Sequence, residues 1–121
     1  MRFHLPLLLE YIDGRNYRLI QEFEFTSDIA GQLIRVPEGF VTDFASVPRF
    51  FWRVLPPTGQ YGKAAVIHDY LYRTHLTTKK IADQVFLEAT KALGVSAWKR
   101  QTMYYAVRLF GGRAYRHGSV D

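Results

Sequence analysis

The sequence predicts an α+β fold in a single domain, residues 1–121, with an N-terminal antiparallel sheet of three to four strands under three to four C-terminal helices. Two observations predict it. Up to about residue 42 apolar residues recur at every second position, as in Phe23 and Phe25 interleaved with Glu22 and Glu24, whereas beyond Asp43 they recur at helical spacing. In addition, Asp13-Gly14 separates two alternating runs, and that dipeptide tolerates the positive φ a tight hairpin needs.

Each element follows from local pattern. Phe3, Leu5, Leu7 and Leu9 make the first strand, which Pro6 confines to an edge because proline cannot donate to a ladder. Residues 17–25 form the return strand, 33–36 a third and 40–42 a fourth, with Pro37-Glu38-Gly39 turning between the last two. Ser46 is placed to cap a short aromatic helix over 49–55, with Pro48 in its first turn and Pro56-Pro57 stopping it. A helix starting at Gly62 or Lys63 runs to about Arg73. The next is capped by Thr77 or Thr78 and ends before Gly94. Ser96 caps the last, which sets Trp98, Thr102, Tyr105 and Leu109 in one row, and residues 113–121 read as a loosely held surface tail. The aromatics over 50–52 and 98–105 are expected in the core; if exposed, they would mark an assembly interface.

Composition narrows the function classes. The absence of cysteine removes disulfides, zinc-thiolate sites and a cysteine nucleophile. No apolar run is long enough to span a membrane, and the N-terminus lacks a signal peptide's apolar region, so the expectation is a soluble protein made in the cytoplasm. The net charge of +5 lies mostly late in the chain and favours an acidic or phosphate-rich partner surface. No nucleic-acid-reading motif accompanies it, so sequence-specific nucleic-acid binding is not expected. His4, His75 and His117 lack metal-ligand spacing and read as surface residues.

The best functional clue is a pair of polar residues inside an apolar helix, His68-Asp69 within Ala64-Ala65-Val66-Ile67-His68-Asp69-Tyr70-Leu71-Tyr72. Unpaired buried charges cost several kcal/mol, so both need partners. A short link joins this helix to the next, whose Asp83 is thereby within reach of His68. A histidine oriented by a carboxylate is the minimal general-base unit. His68, Asp83 and Asp43 are therefore the candidate catalytic residues, with Asp83 or Asp43 as the orienter and Tyr72 and Ser46 in support. Asp69 points about 100° away on the helix. It is the candidate ligand for a hard cation, completed by carbonyls of Thr58, Gly59 and Gly62. A Ser46-His68-Asp83 nucleophilic triad lacks the glycines of a nucleophile elbow, and the turn-and-cap reading of Ser46 and Asp43 is preferred.

The segment His68-Asp69-x-x-Tyr72, followed by Asp83 and Phe86, resembles the paired helices of phospholipase A2 enzymes over residues 57–90, without that family's disulfides. The resemblance implies that His68 activates water, Asp83 orients it, and Asp69 with the preceding loop holds calcium. Over nearly the whole chain, Val36-Pro37-Glu38-Gly39-Phe40-Val41-Thr42-Asp43-Phe44-Ala45-Ser46-Val47-Pro48 and the later His68 and Asp83 motifs resemble a phage and prophage family known as domain of unknown function 1353. That resemblance implies a bacteriophage origin. Two functions compete. One is a metal-assisted hydrolase of an ester or amide, used in lysis or entry. The other is a non-catalytic virion or assembly component that binds other phage structural proteins, its His-Asp network being architectural. An enzyme needs His68 on an open cleft; an architectural network is closed and fully hydrogen-bonded.

Overall fold

In the computed structural model the described residues are 2–14, 16–48 and 61–118. The expected helix over 49–55 lies outside them. Among the described residues six strands precede four helices: β1 (Arg2–Phe3), β2 (Leu9–Tyr11), β3 (Tyr17–Leu19), β4 (Phe23–Ser27), β5 (Gln32–Val36), β6 (Val41–Thr42), α1 (Gly62–Thr74), α2 (Lys79–Ala92), α3 (Ala97–Phe110) and α4 (Gly112–Gly118). The fold class is α+β, as the change of period indicates, with two three-stranded antiparallel sheets ordered β1-β4-β5 and β2-β3-β6.

The two sheets are halves of one bent meander. Arg2 faces Thr26 in one half and Leu9 faces Leu19 in the other, and a single antiparallel register accounts for both pairs. The third strand behaves alike, with Phe23 opposite Val36 and Tyr17 opposite Thr42. The ladder breaks where the chain lacks donors. Pro6 interrupts the first strand, and its carbonyl accepts instead from the Gln21 side chain at 3.3 Å. At the same level the third strand turns at Gly39, whose φ of 89° suits glycine and whose N–H donates to Leu19 O at 2.8 Å. The continuous strands expected over 3–9 and 17–25 are therefore each split in two. Pro6 lies just past the edge strand β1.

Alternation sets the core. Phe23 and Phe25 of β4 and Ile34 and Val36 of β5 point inward and are fully buried. They meet the apolar faces of α1 and α2, among them Val66, Ile67, Leu71, Val85 and Phe86. Helix α2 packs on α1 and β4 and carries α3 on its other side, while α4 docks on α1. The Thr78 side chain caps α2 by accepting from Ile81 N. Gly94, at φ 80°, ends α2 with paired bonds from Gly94 N to Lys91 O and Val95 N to Thr90 O, the double closure that needs a left-handed residue. Buried Glu88 ties α2 to the sheet, accepting from Ser27 Oγ at 2.6 Å and from the backbone N–H groups of Asp28 and Ile29.

Two expectations for the C-terminal region are corrected. Residues 113–118 form most of α4 rather than a loose tail, because Tyr115 gives the segment an apolar anchor. The Tyr115 ring stacks on His75 at 3.9 Å, and its hydroxyl donates to Thr77 O at 2.8 Å. His75 is thus a partly buried C-cap of α1 in the left-handed conformation, not a free surface residue. The second correction concerns α3. Its buried side is Met103, Ala106 and Val107, and the row holding Trp98, Tyr105 and Leu109 faces outward. Among the described residues no helix is long and apolar enough to cross a membrane.

Candidate functional site

The short link between α1 and α2 sets the two helices side by side, and His68 Nε2 lies 2.8 Å from Asp83 Oδ1. The other ring nitrogen, Nδ1, lies 3.0 Å from Ser46 Oγ. The Tyr72 hydroxyl, one turn along α1 from His68, also donates to Asp83 Oδ1. The second carboxylate oxygen accepts from Lys79 Nζ at 2.8 Å and Arg108 Nη1 at 3.0 Å. Lys79 sits one turn before Asp83 on α2, and its ammonium also caps α3 by donating to Val107 O and Arg108 O. Gly111 lets Tyr72 reach this position, since a Cβ there would come within 2.5 Å of the Tyr72 hydroxyl.

Electrostatics follow from these donors. Burial alone would push the Asp83 pKa up, but hydrogen bonds from His68, Lys79 and Tyr72 outweigh it and hold the group at about 2. Burial and the Asp83 carboxylate together push the Tyr72 phenol well above its ordinary value. Because Asp83 is ionised, His68 Nε2 carries the proton that it donates to Oδ1, and Nδ1 faces the Ser46 hydroxyl.

Ser46 reaches His68 through an unusual turn. Phe44 is buried with φ 58°, a left-handed conformation that costs a bulky residue ~1–3 kcal/mol. Surrounding bonds impose it. Phe44 N donates to Thr42 Oγ1, Ala45 N to Asp43 Oδ1, Val47 N to Phe44 O, and Ser46 N to Asp69 Oδ1. Asp69 Oδ2 in turn accepts from Thr42 Oγ1 at 2.6 Å. Asp69 is thus a clamp on the 42–47 turn, and burial pushes its pKa up even though the Thr42 hydrogen bond opposes this.

Several expected roles change in this geometry. Asp43 holds Ala45 N and is not the partner of His68. The Ser46 side chain points at His68. Asp69 faces β6 and the following turn, and Gly62 is the first residue of α1; Thr58 and Gly59 lie outside the described residues. Both oxygens of Asp69 are taken by protein donors, and among the described residues no three acidic or histidine side chains converge on a metal position. Lys79, Arg108 and Glu88 escaped the sequence reading. The spacing of Lys79 to Asp83 on one helix was the only signal that could have found any of them.

The network is closed. His68 and Asp83 have 0% exposure, and among the described residues every buried side-chain polar atom has a partner. The open feature lies elsewhere. On α3, Trp98 is 64% exposed, Tyr105 60% and Leu109 74%, with Phe110 exposed beside them.

The motifs that build this network, from the 42–47 turn to Asp83, fall inside the match of a family model described as a protein of unknown function, DUF1353, which covers residues 17–107. The chain belongs to the DUF1353 family. Two relatives come from Sinorhizobium fredii (strain NBRC 101917 / NGR234). The uncharacterized protein y4jT is 38% identical over 78% of this chain and 29% of its own length. The uncharacterized protein y4iH is 36% identical over 60% of this chain and 31% of its own. The chain thus spans about a third of the length of these curated relatives. No solved structure matches it.

Proposed function

We propose that this DUF1353 chain is a non-catalytic interaction module, in which the His68–Asp83 network locks the helices together and α3 is the docking face. The observation that carries the reading is the exposed Trp98–Tyr105–Leu109 row. Water-facing aromatic and aliphatic side chains in one continuous helical row cost hydration free energy that a partner recovers. The closure of the network supports the same reading, because a base that performs chemistry needs a substrate path to its free nitrogen. The domain's place within longer relatives suits a module that works beside other domains. A virion or assembly component is one such role, given the bacteriophage or prophage origin that the motif resemblance implies.

One observation favours a second reading, hydrolysis of an ester or amide. Ser46 Oγ, His68 and Asp83 stand in line at 3.0 and 2.8 Å, the order of a nucleophile, base and orienting carboxylate. Against it, the N–H groups of Ala45, Ser46 and Val47 all donate within the protein, leaving that turn no donor for an oxyanion. A fluorophosphonate probe, which phosphonylates activated serines with loss of fluoride, separates the two. The module reading expects no label on Ser46, no turnover of an ester and amide panel above that of Ser46→Ala, and a stability loss in both Ser46→Ala and His68→Asn. Labelling of Ser46 that disappears in His68→Asn would establish the hydrolase instead.

A further inference from the structure

The four helices turn cations outward and keep their anions inside. Between Gly62 and Gly118 stand ten Lys and Arg, and the only acidic residues are Asp69, Asp83 and Glu88. All three are buried, and each accepts hydrogen bonds within the protein. Among the described residues, therefore, no carboxylate of the helical layer reaches its surface; Asp121 lies outside them. The sheet differs, since Glu10, Asp13 and Glu38 are exposed there. The apolar row of α3 belongs to the layer without surface carboxylates and has a cation at each end. Lys99 Nζ stands 5.7 Å from the centre of the Trp98 ring. At the other end, exposed Arg113 and Phe110 line one surface cavity. Helix α3 takes its main contacts from α2 and α4, one layer further out than the helices that cover the sheet.

We infer that α3 lies flat on an anionic bilayer surface, with the Trp98–Tyr105–Leu109 row and Phe110 entering the headgroup boundary and Lys99 and Arg113 meeting lipid phosphates. The inference rests on reading α3 as a docking face and names its partner. Charge complementarity selects an anionic partner. Shape and chemistry then select among anionic partners. A bilayer is a plane and meets a whole face of the protein at once, so any exposed carboxylate on that face is repelled. A face cleared of carboxylates over four helices suits a plane. A single nucleic-acid strand needs only a cationic groove, whereas α3 is a convex ridge. In a duplex groove, base edges are read by Arg, Asn and Gln, but the outward row here is Trp, Tyr and Leu. Those side chains gain by leaving water for the acyl boundary, with Trp and Tyr at headgroup level. From Trp98 to Leu109 the row spans roughly 16 Å at the helical rise of 1.5 Å per residue. That is enough to rest on one leaflet and too little to cross the bilayer.

Flotation of the full chain with lipid vesicles tests this, comparing phosphatidylcholine alone with phosphatidylcholine mixed with phosphatidylglycerol. Wild type should float with the mixed vesicles and not with the neutral ones, and salt should weaken the binding. Leu109→Glu should lower the partition coefficient about tenfold or more, and Trp98→Ala several-fold, both with unchanged melting curves. Arg113→Ala should lower it about fivefold. Leu33→Glu places the same added charge on an exposed position of β5 in the sheet and should float like wild type. An equal loss in Leu33→Glu would mean that net charge alone governs binding, and overturns the α3 contact. Flotation that Leu109→Glu and Trp98→Ala leave unchanged overturns it too. No flotation with either vesicle overturns the lipid partner, while the module reading stands or falls separately on the serine-probe experiment. If the chain instead binds a single-stranded oligonucleotide, and Trp98→Ala abolishes the binding, the cationic layer serves nucleic acid and the lipid inference is wrong.

Discussion

Helices α1 and α3 are of nearly equal length, yet nine of the thirteen residues of α1 are buried and only three of the fourteen of α3. In α1 the polar residues His68 and Asp69 are held inside, and each is hydrogen-bonded to residues outside the helix. On α3 the apolar residues Trp98, Tyr105 and Leu109 stand outside. Both break the usual pattern of polar out and apolar in, but the physical outcomes differ. A buried polar group with every bond satisfied adds rigidity and specificity to the fold. An exposed apolar row adds nothing to the isolated fold and gains only on association. Substitutions should therefore divide by helix, with network changes acting on stability and α3 changes acting on binding.

The largest effect is expected at Asp83, on which α1, α2 and α3 converge. Asp83→Asn strips the counter-charge from Lys79 and Arg108 and should cost about 3 kcal/mol or more in denaturant unfolding. Gly111→Ala should follow at about 1–3 kcal/mol, since the added methyl meets the Tyr72 hydroxyl and Val107 O and pushes α4 away. If Gly111→Ala proves neutral, the tight docking of Tyr72 under α4 is not what holds that corner.

Acid titration sharpens the comparison within the network. The folded pKa of Asp83 is held at about 2, below its ordinary value, so its contribution is full above the ordinary carboxylate range and is lost as pH falls through about 2. That contribution is on the order of 2 kcal/mol. Asp69 has the opposite sign. Its folded pKa is raised, so the fold takes up its proton more readily, and its ionisation opposes stability as pH rises through the raised value. Stability measured from neutral to low pH should fall most steeply at the acid end in wild type and lose that slope in Asp83→Asn. At Asp69 itself, Asn would turn an amide donor toward Ser46 N or Thr42 and should cost about 1–2 kcal/mol. Millimolar calcium should leave the melting temperature of wild type unmoved. A calcium-dependent rise abolished by Asp69→Asn would restore the metal-site reading.

The smallest effect belongs to α3. Trp98→Ala and Leu109→Ala should change unfolding free energy by no more than about 0.5 kcal/mol. A loss of several times that would mean the row packs against something within the chain.

Much of this contrast could be read from the residues alone, and the limits were physical. The shift from period two to helical spacing is strong enough to give the fold class, and a short link between helices suffices to bring His68 to Asp83. The role of Ser46 was hidden because it depends on a phenylalanine adopting φ 58°, which no propensity favours. That Asp69 grips Thr42 and Ser46 was not legible, because helical angle tells which way a side chain points but not which loop waits there. The α3 row looked like core because both its faces carry apolar residues, and only packing decides which one α2 covers. Pro6 marked an edge correctly, but that it divides a sheet follows only when the strand opposite is known.

The left-handed Phe44 also bears on how the chain reaches this state during synthesis. Its conformation is unfavourable alone and becomes tolerable when Asp69 grips Thr42 and Ser46 from a helix more than twenty positions downstream. A ribosome delivers the strands first, and at ~5–20 residues per second there is an interval in which the meander exists without its clamp. During that interval the crossover stays in ordinary extended conformations, and Thr42, Phe44 and Ser46 remain open to water and to other chains. A nascent chain truncated before Asp69 should therefore leave the 42–47 turn unset, even though every residue of that turn and of both strands beside it is already made.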